Sequence, residues 1–137
     1  MLEILQNFIQ LLINDSVLTA IVPKQNIFVG ALDSLQQKQV DLLSQAIIIT
    51  TVSEAVRTVP MGVRDTQVQL DIMSRTSQLE LEQIYEEVLN VLNFAFGSMS
   101  GNSYTFWQRL GNAVDMNESD RHLNRRVLTF TIWSEKP

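Results

Sequence analysis

Two spacings of apolar residues alternate along this chain, and the points where one gives way to the other outline its elements. Residues 2–13 place Leu2, Leu5, Ile9 and Leu12 on one side with Phe8 close by, while Glu3, Gln6, Asn7 and Gln10 take the other. That three-and-four spacing predicts an amphipathic helix. Asn14 and Asp15 mark its stop. Ser16 is the expected cap of a second, short helical piece through Val17, Leu18 and Ile21, which Pro23 closes. Ile27-Phe28-Val29 reads as a brief strand ending at Gly30. From residue 31 to 45, Leu35, Val40, Leu42 and Leu43 follow neither spacing, and the segment is read mostly as loop.

The spacing then shortens to two. Ala46 to Val52 is a β-branched run, which suggests a strand buried on both faces or central in a sheet. Ser53 to Arg64 mixes charge, Val, Pro60 and Gly62, and reads as a long hairpin arm or mobile loop joining two antiparallel strands. Next, Val68, Leu70 and Ile72 alternate with Gln67, Gln69 and Asp71, so one face is apolar and the other wet. A one-residue slip would bury Gln69 and Asp71 without partners, which fixes the register.

At Ser77 the spacing lengthens again. Ser77-Gln78-Leu79-Glu80 matches a capping box, and Leu81, Ile84, Tyr85, Val88, Leu92 and Ala95 follow helical spacing. Each large aliphatic member, fully buried, contributes ~1.5–3 kcal/mol, so this helix is expected to anchor the core. Gly97 is the expected stop. Tyr104 through Leu110 alternates after a turn around Gly101-Asn102. Arg126 to Trp133 alternates too, with Leu128, Phe130 and Ile132 on one face and Val127, Thr129, Thr131 and Trp133 on the other. The polar stretch Gly111 to Asn124 between them is expected to hold a long turn. The order helix, strand, strand, helix, strand, strand, without an internal repeat, predicts a single α+β domain over residues 1–137.

Composition narrows the function more than the fold. A chain of 137 residues can bury roughly two-thirds of its unfolded surface, so it needs no disulfide or metal to hold a core. It has no cysteine, which excludes disulfides, thiolate nucleophiles and cysteine-based zinc or iron–sulfur sites and fits assembly in a reducing cytoplasm. Glu3 and Gln6 interrupt the first apolar run, no basic leader precedes it, and no stretch reaches the ~20 apolar residues of a membrane span. Fifteen acidic residues outnumber ten Lys and Arg, for a net charge of −5. Binding to DNA through its phosphates needs a basic patch, so direct nucleic-acid binding is disfavoured.

Catalytic chemistry has few candidates. His122 is the only histidine and sits in the charged turn Ser119-Asp120-Arg121-His122, where a solvated position is the simpler reading. No Gly-x-Ser-x-Gly elbow accompanies any serine. Asp115, Glu118 and Asp120 could form a weak cation site, but they lack the glycine-centred spacing of a calcium loop and read more simply as turn chemistry. Gly97-Ser98-Met99-Ser100-Gly101 has no following Lys and opens no helix, so it is no phosphate loop. No cofactor, metal or enzymatic activity is expected.

Surfaces are more informative. The helix from Ser77 to Asn93 carries Glu80, Glu82, Glu86 and Glu87 with no Lys or Arg between them. They form either a solubilising surface or a face complementary to a basic patch on a neighbouring subunit, for which Arg121, Arg125 and Arg126 are the densest candidate. Trp107 and Trp133 fall on the strand faces opposite the better apolar stripes. Either a further helix covers them, such as residues 2–13, or they lie at a subunit contact, where Trp is enriched.

The block Val68-Gln69-Leu70-Asp71-Ile72-Met73-Ser74-Arg75, running straight into Leu79 through Leu92, resembles the tail terminator and tail completion proteins of long-tailed bacteriophages. So do the closing strand Arg126-Val127-Leu128-Thr129-Phe130-Thr131-Ile132-Trp133 and the opening helix followed by Asp15-Ser16-Val17-Leu18-Thr19-Ala20-Ile21-Val22. The strand at Ala46 departs from the pattern in lacking a Pro-aromatic lead-in, and residues 32–45 look extended. The resemblance implies a small antiparallel or mixed sheet of four to five strands, with the N-terminal helix and the long helix packed mainly on one side.

It implies a structural role in the virion, at the tail–neck junction, after assembly in the host cytoplasm. A homo-oligomeric ring, usually a hexamer, would cap the tail tube, end its polymerisation and offer a docking surface to the head completion or neck protein. DNA would pass through the lumen without specific binding, and an acidic wall suits that passage. The arm at 53–64 would then carry contacts through Arg57, Arg64 and a tip at Pro60-Met61-Gly62. Two other readings share the same features: another phage connector, such as a head completion or baseplate ring protein, and a soluble bacterial binding module outside a virion.

Overall fold

The computed structural model describes residues 2–30, 32–56, 63–98, 105–119 and 122–135. The amphipathic start forms α1 (Leu2–Ile13), and Phe8 and Leu12 on its apolar side are fully buried. The second piece, α2 (Ser16–Ile21), is capped by Asp15 rather than by Ser16. Asp15 Oδ2 accepts from the Leu18 N–H at 3.0 Å, which is the third helical amide. The longer carboxylate therefore sits in the cap position, and Ser16 becomes the first helical residue.

Six strands form one sheet among the described residues, one or two more than the sequence suggested. They are β1 (Ile27–Val29), β2 (Gln45–Val56), β3 (Val63–Ser74), β4 (Phe96–Ser98), β5 (Thr105–Asp115) and β6 (Asn124–Glu135). Their spatial order is β1-β2-β3-β6-β5-β4, with β1 parallel to β2 and every other pair antiparallel. β2 and β3 extend the hairpin to Val56 and Val63; the rest of the expected arm, with Arg57 and Met61, lies outside the described residues.

Strand alternation sorts the sheet into two unlike faces. Ile47 and Ile49, then Val68, Leu70 and Ile72, then Leu128, Phe130 and Ile132 share one face and are buried against the helices. The 15-residue α4 (Gln78–Leu92) lays Leu81, Ile84, Val88 and Leu92 onto it. Phe8 of α1 meets Phe130 edge to face at 5.8 Å, an arrangement aromatic pairs favour. The helical layer thus packs mainly on one side, as expected.

Four local expectations change. Residues 34–41, read as loop, form α3 (Ser34–Asp41), held by a complete capping box between Asp33 and Gln36. It covers the opposite sheet face at one end, where Val40 packs with Ala46, Met73 and Leu123. At Ser77 only half of the expected box forms. Ser77 Oγ accepts from the Glu80 N–H at 3.0 Å, but the Glu80 carboxylate turns aside to accept from Ser74 Oγ at 2.8 Å. α4 ends before Gly97, with Asn93 as cap and Phe94 taking the left-handed turn (φ 61°). Gly97 belongs to β4, on the sheet face where a Cβ would meet Phe106.

The expected long turn from Gly111 to Asn124 is instead mostly strand. β5 runs on to Asp115, with its register to β6 shifting between Leu110 and Asn112. A bulge there inserts one residue, so the polar run after Gly111 alternates in the opposite phase from the apolar run before it. Beyond the strand ends, Glu118 and Leu123 exchange both backbone hydrogen bonds, and residues 120 and 121 between them lie outside the described residues.

Candidate interaction surfaces

Among the described residues, the sheet face opposite the helices is covered only at one end, by α3. At the other end Trp107 and Trp133 sit side by side on β5 and β6, their rings stacked at 4.5 Å between centroids and 24° apart. Phe96, directly across from Trp107 on β4, is 79% exposed, and Trp107 itself is 43% exposed. Arg109, two residues along β5, holds its guanidinium over the Trp133 ring at 5.6 Å. α1 packs on the far side of the sheet, so it does not cover these tryptophans. The result is an aromatic platform with a cation at its border, next to a shallow cleft lined by Val63, Trp107, Trp133 and Glu135.

The basic group expected to meet a neighbour is engaged within the chain. Arg126 lies on the helix-covered face and is 9% exposed. Its Nη1 donates to Glu82 Oε2 at 3.0 Å, its Nε donates to Asp115 Oδ1 at 2.5 Å, and its guanidinium lies 4.5 Å from the Tyr85 ring centroid. Hydrogen bonds from Arg126 hold both carboxyls below their ordinary range, and the two carboxylates in turn push the arginine upward. Arg125 faces the other way. Its Nε donates to both oxygens of Asp71 at 2.8 Å, and that bond raises its own affinity for the proton. Arg121 lies outside the described residues.

These contacts correct two expectations. The complementarity of Glu82 with Arg126, expected across a subunit boundary, is made between α4 and β6 of one chain. Asp71, expected on a wet face, is buried because Arg125 accompanies it. Neither pairing could be seen in a local pattern, since 44 and 54 residues separate the partners. Arg64 is the second residue of β3, opposite Ser134 of β6.

What remains outward on α4 is Leu79, Gln83, Glu86 and Asn90, an exposed row at helical spacing with one carboxylate at its centre. Nearby, Glu87 and Asp15 bring two carboxyls together; the hydrogen bond with Asp15, helped by burial and by like charge, pushes Glu87 upward. Of the suggested cation cluster, Asp115 is taken by Arg126, Glu118 borders a polar depression with Asp71, Arg75 and Arg125, and Asp120 lies outside the described residues. Among the described residues no group of three or more His, Asp or Glu could hold a metal ion. His122 is exposed and adopts a left-handed backbone (φ 49°), a turn position. Among the described residues no helix is long and apolar enough to cross a membrane.

Comparison with known proteins agrees with a structural reading. No curated protein matches the chain significantly. Among solved structures, a chain from the virion of a native gene transfer agent particle superposes with a TM-score of 0.70 at 15% identity. That match covers 95% of this chain and 92% of the other, and it shows a shared fold. A further match, to the Dit (gp 19.1) protein of phage SPP1, has a TM-score of 0.30 at 16% identity and covers 61% of this chain and 38% of the other, too weak to argue from. The family model described as tail completion protein gp17 matches residues 6–135, nearly all of the chain from α1 to the last residue of β6. The chain belongs to the tail completion protein gp17 family, and its role is that of a structural tail protein in a phage-like virion.

Proposed function

We propose that this protein is the terminator of a phage tail: copies form a ring on the last ring of tail-tube subunits, stop polymerisation and present the surface to which the head or neck docks. The family match over residues 6–135 carries this reading. The molecule suits such a task physically. Its helices and sheet share one apolar core, and the platform around Trp107 and Trp133 is an apolar surface left open among the described residues. A hexamer is the expected ring. DNA crosses its lumen without being held, in keeping with the net charge of −5 on each copy.

Labelling decides between this and other connector positions. An epitope tag on this chain, imaged on whole particles, is expected at the junction of tail and head. A label at the free end of the tail would make the protein a baseplate component instead. Loss of the protein is expected to leave filled heads beside unjoined tails of scattered length. Infectious particles with tails of normal length in its absence would overturn the terminator reading.

A further inference from the structure

Two exposed surfaces lie on opposite sides of the molecule. On the sheet side are Phe96, Trp107 and Trp133, with Arg109 at their border. On the helical side is the outer row of α4, centred on Glu86, with Leu79 69% exposed at one end. We propose that the aromatic platform of one copy docks on the outer α4 surface of the next copy, head to tail, with Arg109 opposite Glu86. This rests on the ring reading above and names the surfaces that would close the ring.

Symmetry supplies the first argument. A patch that meets itself makes a two-fold pair and stops there, so a ring of more than two copies needs two different surfaces that fit each other. In a two-layer molecule, the surface facing away from the open sheet is the helical layer, and α4 is its longest element.

Charge supplies the second. α4 holds four glutamates and no Lys or Arg. Glu82 is already bound to Arg126 and Glu80 to Ser74, and Glu87 is half-buried beside Asp15, which leaves Glu86 as the exposed carboxylate. On the other surface, Arg109 lies against a ring face and forms no salt bridge among the described residues. Stacking on Trp133 narrows the positions its fork can take, so less freedom is lost when it meets a carboxylate.

Residue type supplies the third. Tryptophan, phenylalanine and arginine are the side chains that concentrate at the centres of protein interfaces, where a few anchors carry most of the affinity. Leu79 and the stem of Gln83 give such anchors an apolar landing on α4.

The test is assembly of the full chain, followed by native mass spectrometry and light scattering over a range of concentrations. Phe96→Ser, Arg109→Glu and Glu86→Arg alter exposed side chains, and circular dichroism melts matching the wild type will show that each still folds. Each single change is expected to raise the half-assembly concentration about tenfold or more. The double variant Arg109→Glu with Glu86→Arg is expected to return most of that loss.

Rings that form at wild-type concentration in all three single variants would discard these surfaces and leave the ring standing. Loss with Arg109→Glu that Glu86→Arg fails to rescue would place the platform against a different surface of the neighbouring copy and overturn the pairing. A wild-type chain that stays monomeric even on tail tubes would overturn the ring and the docking together.

Discussion

Arg126 gathers three side chains around one guanidinium, and its energetic weight follows from what surrounds it. Glu82 and Asp115 are each about half exposed, so water screens part of the attraction, while the arginine itself is nearly buried. Replacing it with Gln removes two charge-assisted contacts and the Tyr85 stacking. The expected cost is about 1–2 kcal/mol, or ~3–6 °C in melting temperature for a domain of this size. The pH dependence has a definite sign. Arg126 depresses both carboxyls below 4.5 and 3.8, so its contribution is present above those values and fades as pH falls through the lowered ones. Melts of wild type and Arg126→Gln should therefore differ more at pH 7 than at pH 2. A gap of equal size at both pH values would show that packing on Tyr85, and not the ion pairs, sets the effect. Glu87 acts in the opposite direction: its raised carboxyl favours the fold as acid protonates it, and the repulsion from Asp15 grows toward neutral pH.

Elements with a strong apolar stripe were legible in the chain; those held by other means were not. α1, β3, α4 and β6 each bury one side, so the spacing of Leu2 to Leu12, Val68 to Ile72, Leu81 to Leu92 and Leu128 to Ile132 announced them. α3 buries Val40 alone, and its sequence Ser34-Leu35-Gln36-Gln37-Lys38-Gln39-Val40-Asp41 shows no stripe. Its signal was Asp33 three residues before Gln36, a capping box hidden by a search for apolar spacing. β4 is three residues long like β1, but its Phe96-Gly97-Ser98 lacks the β-branched residues that marked Ile27-Phe28-Val29. At the end of α4, buried Gln108 donates through Nε2 to the Leu92 carbonyl at 2.9 Å, and the Leu110 N–H donates to Asn93 Oδ1 at 2.9 Å. The Gln108 bond satisfies a helix-end carbonyl from β5, so the end is held without a glycine stop. Because α3 depends so heavily on its cap, Asp33→Ala is expected to cost about 1 kcal/mol locally. Hydrogen exchange should quicken at the amides of residues 36–41 by roughly fivefold. Unchanged exchange there would mean that the packing of Val40 on Met73 and Leu123 holds the helix without its cap.

At the scale of the whole molecule, the platform was half visible: the phase of Trp107 and Trp133 placed them off the apolar stripes, but their stacking, and the Phe96 that joins them, needed the β4–β5–β6 register. The net charge of −5 then sets a physical condition on any ring. Like-charged copies repel over distances set by the screening length, ~30 Å at 0.01 M salt and ~10 Å at 0.1 M. Contacts between stacked aromatics and α4 act only at touching distance and depend little on salt, whereas the repulsion reaches across the whole subunit. Association is therefore expected to tighten as ionic strength rises from ~0.01 M to ~0.15 M, the reverse of what a basic, phosphate-binding assembly does. Sedimentation at several concentrations in each buffer measures it directly. A ring that loosens over that range would owe its cohesion to ion pairs across the boundary, with Arg109 and Glu86 outweighing the aromatic anchors; one that tightens draws it from the rings of Phe96, Trp107 and Trp133.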